Sequence, residues 1–580
     1  MKIIIYFYMV VSLAIQPASA YEITTHALIT QKAYERSALN PSNPNSVVTA
    51  IGFDRLGQNT AFDLEQKINA GLFSTPVDRA YYDDAVRPAT INQSVVRLPQ
   101  QQEKTSMQWL LERGFTPGFS SVESFEGSIP GWLMRGSIRE DDNDGRLILK
   151  AWATGDDRDL DPYGRILRAV KHFYDPVRDL AYPFIKECVD YDCLKSTTWA
   201  MGAVDPLTTG SNIPDVNRRN HFTWQDARED YFYALTLVTD ENSDGVRTGL
   251  ERQQNSWERS WRFATAIGDL GHIVHLLQDT AQPQHIRSDA HAPPAGTEVE
   301  AGEGLADASI EAFTDYRVLG FVDSNLATFI TGNPLQSMDE ALPGQLAVPP
   351  LIFGSYPGAG QKIQFSTPIK FFTTRHVDTS SGDCGGSSNV ICARRGLADF
   401  TNRSFFTSGT TPGNVFCTNP ARRPFETDVF GNPRCPSTQP VPFPYPPQDL
   451  TDPSYSRVAL SSKIRIGATT VLYNAIVRKV IDSVAPNYVD PTLAQFGGKV
   501  PVLMEGATAA AANGLVPGVV IGKFNSYSYA NMQYTADVAI PRAIGYSAGL
   551  IDFFFRGKLE IEPITQRVFG VLNQGEPHTV

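Results

Sequence analysis

The chain has no excess of basic residues: 50 Lys and Arg stand against 62 Asp and Glu, a formal net charge of −12. A protein that tracks nucleic-acid phosphates over a broad surface needs the opposite balance, so stable nucleic-acid binding is not expected. Bound metal ions could still supply positive charge at one site. Charged residues are also sparse, 19% against 42% hydrophobic, a globular balance that excludes a disordered chain. Beyond the first residues no long apolar run is free of breakers. The nearest, 502–522, contains Glu505, Asn513 and Pro517, whereas a spanning helix needs about 20 apolar residues. Internal repeats and heptads are absent as well. Cysteine is scarce, six in 580 residues and none at C-x2-C spacing, so structural disulfides are favoured over a zinc ribbon.

What is present begins with a processing signal. Lys2 precedes an apolar run over 3–15, and Ala18-Ser19-Ala20 has the small-x-small form of a signal-peptidase site. Residues 1–20 are therefore read as a signal peptide cut before Tyr21, the alternative being a retained anchor that is short for a membrane span. The expected destination is secreted or periplasmic. In that compartment the simplest cysteine pairing is between neighbours: Cys188 with Cys193, Cys384 with Cys392, Cys417 with Cys435.

The expected fold is mainly α. Residues 21–320 read as a helical domain, with helices from Thr24 or Thr25 to about Leu39 and around 178–187, 194–202 and 223–238. Residues 321–455 are rich in Gly, Pro and Ser and read as a long irregular insertion pinned by two disulfides. Helical periodicity over 456–484 and 541–555 predicts that 456–580 completes the helical domain.

The densest chemistry lies in SWERSWRFATAIGDLGHIVHLLQDTAQPQHIRSDAH, residues 256–291. Asn255 and Glu258 mark a helix start, and Trp257, Trp261, Ala264, Gly268, Gly271 and His275 recur at helical steps as a buried face. His275 and Asp279, four apart, leave one face one turn apart. Pro283 stops the helix, and His285 follows on an expected sharp turn. Imidazoles and a carboxylate converging in this way suit zinc; a lone core histidine satisfied by hydrogen bonds would be the bland alternative. His272 shares roughly the same face and is read as structural. Three candidates lie upstream: His26 in the first helical turn, Asp141 in an acidic turn over 136–146, and His172 ending a short helix before Pro176.

LGHIVHLLQDTAQPQH resembles the central helix motif of the zinc-dependent phospholipase C family, whose fold is shared with zinc-dependent single-strand nucleases. HFYDP resembles its second signature, and IPRAIGYSAGLIDFFFRGKLE is similar to the ends of bacterial members. The resemblance covers roughly 21–320 and 456–560. It implies a phospholipase C/nuclease-like helical domain holding up to three zinc ions. Asp141, His172, His275 and Asp279 would hold the first, with Asp279 bridging to another, and Asp141, His275 and Asp279 are its implied catalytic set. His285 would hold the second with Glu311; where the family has a histidine four residues before that acid this chain has Asp307, so His291 or Asp307 stands in. His26, Asp279 and the terminal amine and carbonyl of Tyr21 would hold the third. The implied activity is phosphodiester hydrolysis by a metal-activated water, on a phospholipid at a membrane surface or on another phosphodiester. A nuclease on the same scaffold and a non-catalytic extracellular zinc protein are the alternatives. GYSAG at 545–549 fits a nucleophile elbow, but its helical context argues against a serine hydrolase.

Asp240, Asn242, Asp244, Gly245 and Glu251 match the spacing of an EF-hand loop. Calcium is therefore a candidate second cofactor, against a reading as a solvated acidic connector.

Overall fold

The computed structural model of the chain describes residues 23–50, 128–141, 169–181, 194–202, 220–236, 256–287, 365–374, 395–407, 449–507 and 523–556, apart from a few positions within these spans, together with Thr314, Tyr356 and Pro446. The expected signal segment, all six cysteines, the loop Asp240, Asn242, Asp244 and Glu251, and also Tyr21, His291, Asp307 and Glu311 lie outside the described residues.

Helix predominates. In chain order come α1 (Ile23–Arg36), α2 (Val47–Ala50), α3 (Ile129–Asp141), a 3-10 turn (Ala169–His172), α4 (Ser196–Met201), α5 (Trp224–Thr236), α6 (Ser256–Asp279), α7 (Pro283–Arg287), α8 (Ile369–Phe372) and α9 (Leu397–Ser404). A four-stranded sheet follows, β1 (Tyr455–Ile466), β2 (Thr469–Arg478), β3 (Val500–Ala507) and β4 (Lys523–Ser526), and then α10 (Tyr529–Phe554). None of the described helices is long and apolar enough to cross a membrane.

The central element is α6, packed against α1, α3, α5 and α10. It buries Phe263, Ile267, Leu270, Ile273, Val274, Leu276 and Leu277, each worth about 1.5–3 kcal/mol relative to exposure. That outweighs the helix penalty of about 1 kcal/mol for each interior glycine. The glycines set the distance to α3. A methyl group on Gly136 would lie 1.9 Å from the carbonyl oxygen of Gly268, and one on Gly271 would lie 2.2 Å from that of Leu133. The two backbones touch, and only hydrogen fits between them.

Asp279 ends α6. Thr280, Ala281 and Gln282 then donate backbone N–H groups to Leu277, Gln278 and Asp279, a tight turn. Pro283 opens α7 as its first residue, where a missing N–H costs nothing. The residue expected to stop a helix therefore starts another, and His285 lies on that short helix rather than on a bare turn.

The C-terminal region corrects the sequence reading more deeply. Residues 456–484, expected to be helical, form β1 and β2, an antiparallel hairpin pairing Tyr455 with Arg478 and Ile466 with Thr469. The reason is the run of β-branched residues, Val458, Ile464, Ile466, Thr469, Thr470, Val471, Ile476 and Val477. The strands run β1-β2-β3-β4, each antiparallel to the next. On β2, Ala475 and Val477 join the main core while Ile476 joins a smaller cluster with Phe406, Tyr455, Val502 and Leu503. A strand covered on both faces loses its polar alternation, which made it legible as helix.

Helix α10 begins at Tyr529, twelve residues before Pro541, which lies inside it. Burial of Ala536, Val538, Ala539, Ile540, Ala543 and Ile544 around the proline outweighs the lost backbone bond. Two parts of the expected insertion also belong to this core: Phe365, Phe371, Phe372, Leu397, Phe400 and Phe405 pack in the same cluster as α6 and α10. At the other end α1 lies between α3 and α10, and the Ala38 N–H donates to Asp552 Oδ1 at 2.5 Å.

Asp482, in the connection between β2 and β3, forms a buried ion pair with Arg542 of α10. It accepts from Arg542 Nε at 3.0 Å and from the Tyr356 hydroxyl at 2.6 Å. The guanidinium also lies 4.6 Å from the Phe400 ring centroid and 5.0 Å from that of Tyr356.

Candidate metal centre

Four imidazoles surround one carboxylate at the C-terminal end of α6. From Asp279 Oδ1, His26 Nε2 is 3.2 Å away. From Oδ2, His172 Nδ1 is at 3.2 Å, His275 Nε2 at 3.4 Å and His285 Nδ1 at 3.9 Å. All five side chains are fully buried. The rings of His26 and His275 stack with centroids 3.7 Å apart. The structure thus brings together His26, His172, His275, Asp279 and His285, which are scattered over 260 positions of sequence.

Each ring is aimed by something outside the cluster. His275 Nδ1 donates to the Ser137 carbonyl at 2.6 Å, which turns Nε2 toward Asp279. His26 Nδ1 donates to Gln278 Oε1 at 2.6 Å, with the same consequence. Gln278 is itself held, donating to Thr30 Oγ1 at 2.8 Å, and Thr30 donates to Ser137 Oγ at 2.9 Å. His172 and His285 are placed as a pair. Phe173 stacks on His285 with centroids 4.5 Å apart and planes 5° from parallel, and the Tyr174 N–H donates to the His285 carbonyl at 3.1 Å.

These donors fix the chemistry of the facing atoms. With Nδ1 protonated, Nε2 of each of the two stacked rings presents a lone pair to a carboxylate oxygen. Lone pairs at such distances repel unless a cation lies between them. Neither Nε2 of His275 nor either oxygen of Asp279 makes a hydrogen bond of good geometry, although an orphaned buried polar atom costs about 1–3 kcal/mol. Burial and the neighbouring His26 push the His275 imidazolium down to about 3, against the opposing pull of Asp279. Burial alone would raise Asp279, but His275, His285 and His172 hold it well below the usual carboxylate range. Neutral imidazole and ionised carboxylate are the protonation states a metal requires.

The geometry fits the same conclusion. One ligand atom each from His26, His275 and Asp279 lie within 4.8 Å of one another. A tetrahedral zinc with bonds of about 2.1 Å separates its ligand atoms by roughly 3.4 Å, and each ring nitrogen lies at about that spacing from one Asp279 oxygen, His26 from Oδ1 at 3.2 Å and His275 from Oδ2 at 3.4 Å. Two imidazoles and a carboxylate suit zinc, and they suit other first-row divalent ions too.

Asp141 is the last residue of α3, so the segment expected to be an acidic turn is helical through that position. Its side chain lies outside the described residues. Among the described residues, Glu140 also brings a carboxylate to the cluster, fully hidden from solvent. Its Oε1 lies 3.6 Å from His172 Nε2, and its Oε2 accepts from His272 Nδ1 at 2.6 Å. His272 is thus outside the ligand set, consistent with its structural reading. Sequence reasoning missed Glu140, Gln278 and Ser137. The available signal was positional: Gln278 adjoins Asp279, and Glu140 stands four residues after Gly136, the point of closest approach to α6.

Comparison of the chain with protein-family models, with curated proteins and with solved structures returns no match.

Proposed function

We propose that the chain is an exported zinc-dependent hydrolase of phosphodiester bonds, phospholipase C-like in its fold and reaction. The observation that carries this reading is the buried set of His26, His275 and Asp279, one ligand atom from each lying within 4.8 Å of the others. The resemblance of LGHIVHLLQDTAQPQH to the phospholipase C motif supplies the reaction class. His26, His275 and Asp279 would hold one ion, and His172 and His285 are close enough to Asp279 to share in that or a neighbouring one. Such ions lower the pKa of a bound water and neutralise charge on the phosphoryl oxygens. The chain's own residues keep the ligands aimed: Gln278 orients His26, and the Ser137 carbonyl orients His275. Phospholipid at a membrane surface is the proposed substrate.

One observation favours a second reading. Every side chain of the cluster is fully buried, which also suits a zinc that ties α1, α6 and α7 together without catalysis. A single experiment separates the two. Purified protein is assayed for metal content and for turnover of phosphatidylcholine, single-stranded DNA and a chromogenic phosphodiester, beside His275→Ala. The proposal expects zinc and lipid turnover in the parent and loss of both in the variant. Zinc without turnover on any substrate supports the structural ion, and preferred DNA cleavage makes the enzyme a nuclease. Undiminished metal and activity in His275→Ala would sink the metal centre itself.

A further inference from the structure

We propose that Glu140 is the positioning residue of the metal centre: it holds His172 from behind, in the second sphere, and is not itself a metal ligand. This inference rests on the reading of the cluster as a metal site and adds a role for a carboxylate outside the expected ligand set.

Glu140 is 1% exposed at the end of α3. Two donors from two different helices fix it. Trp199 of α4 donates Nε1–H to Oε1 at 2.9 Å, and His272 of α6 donates Nδ1–H to Oε2 at 2.6 Å. Both donors are braced in turn. Phe222 stacks on His272 with centroids 4.2 Å apart, and Lys171 Nζ lies 5.1 Å from the Trp199 ring centroid. Asn220 connects the two braces, donating Nδ2–H to the Trp199 carbonyl at 2.8 Å and accepting from the Phe222 N–H at 3.0 Å. To swing into a metal's coordination sphere, Glu140 would have to abandon two buried donors, each costly to leave unsatisfied.

Glu140 also faces His172. The two nitrogens of that ring face two carboxylates: Nδ1 is 3.2 Å from Asp279 Oδ2, and Nε2 is 3.6 Å from Glu140 Oε1. If Nδ1 gives its lone pair to the ion, Nε2 must carry the proton, and that proton points toward Glu140. The present separation is an ion-pair distance, about half an ångström longer than a hydrogen bond. A carboxylate behind a ligating imidazole fixes the tautomer and makes the ligand more basic, and losing such a partner typically costs about 10–100-fold in metal affinity. The charge of Glu140 and that of Asp279 would also offset the cation in this buried site.

The test is cobalt binding by the metal-free full chain, read from the d–d absorption spectrum and from competition with a chelator. Glu140→Gln keeps the shape and removes the charge, and the expected result is a 10–100-fold weaker affinity with an altered cobalt spectrum. Should that variant not fold, Trp199→Phe carries the test: it keeps the ring beside Lys171, drops one donor, and should weaken cobalt in the same direction by less. A double-mutant cycle with His172→Ala supplies the readout that a merely structural role would not move. Because Glu140 acts through His172, Glu140→Gln should weaken binding little further once His172 is gone. Fully additive losses, or parental affinity and spectrum in Glu140→Gln, would overturn the role while leaving the metal centre standing. A parent protein that takes up no cobalt would overturn both.

Discussion

Replacing Gly136 with alanine tests the contact on which the candidate metal centre is mounted. The added methyl would lie 1.9 Å from the Gly268 carbonyl oxygen. That atom belongs to a helix backbone and cannot rotate away, so α3 and α6 must part by about 1.5 Å to reach ordinary contact. Overpacking of this kind costs about 1–3 kcal/mol. The separation would also stretch the bond from His275 Nδ1 to the Ser137 carbonyl, now 2.6 Å, to about 4 Å, beyond any hydrogen bond. Losing a buried bond of this sort adds about 1–3 kcal/mol. Against these stands the gain in helix propensity, about 1 kcal/mol for Gly to Ala. The expected net is a destabilisation of roughly 1–5 kcal/mol. Zinc should also bind roughly 10-fold or more weakly, because the His275 ring is no longer aimed. Urea unfolding of the metal-free protein followed by far-ultraviolet circular dichroism measures the first, and chelator competition the second. The sign is decisive. If Gly136→Ala raises stability by about 1 kcal/mol, the helix-propensity value, then the two backbones are not in contact and the account of how His275 is oriented fails with it.

Arg542→Ala should destabilise the fold by about 3–5 kcal/mol, because it strands the buried Asp482 carboxylate and empties the space beside Phe400 and Tyr356; a loss under 1 kcal/mol in the same unfolding assay would show that the pair is not buried as described. Asp399 gives a pH signature. Burial raises its pKa to about 6 although Thr374 N–H and Thr373 hydroxyl both donate to it. The folded state therefore binds the extra proton, and stability should fall as pH rises from about 4 to about 6, by a total on the order of 3 kcal/mol. Asp399→Asn should flatten that segment of the stability profile, and an unchanged slope would count against the assignment. If Tyr21 is the mature terminus and a ligand, protein with an extra residue before it should hold one zinc fewer than protein starting at Tyr21, and equal stoichiometry by mass spectrometry would rule this out.

Much of the site was legible because helical spacing is rigid. His275 and Asp279 at four residues had to share a face of α6, and the proline that follows brought His285 back toward it. His26 and His172 were found by residue type and order rather than by periodicity. The carboxylate between α3 and His172 was not legible. Glu140 follows Arg139 in an acidic stretch, one position turns a helical side chain by about 100°, and composition alone does not say that Glu140 faces inward. Ser137 escaped because its contribution is a backbone carbonyl, which every residue has. The sheet was misread for a related reason. Ala475, Ile476 and Val477 are all buried, and a consecutive apolar run carries no period that separates strand from helix. Residues 365–374 and 395–407 lack sustained periodicity because their helices are short, four and eight residues, yet their phenylalanines enter the main core.

The packing of α1 between α3 and α10 has a consequence for biosynthesis. His26 sits on α1, and its companions in the cluster have all been synthesised by residue 285. Part of the surface packed against α1, however, comes from 529–554, and the N–H of Ala38 donates to Asp552. During translation the first helix must therefore wait through some five hundred residues for its neighbour. Contacts of such sequence separation form late, since loop closure precedes any reward from packing. Before α10 is made, the chain already carries all four imidazoles while its apolar faces are still open, the kind of species most prone to aggregate. The same topology makes α10, which contributes no ligand to the cluster, a determinant of whether the centre forms at all.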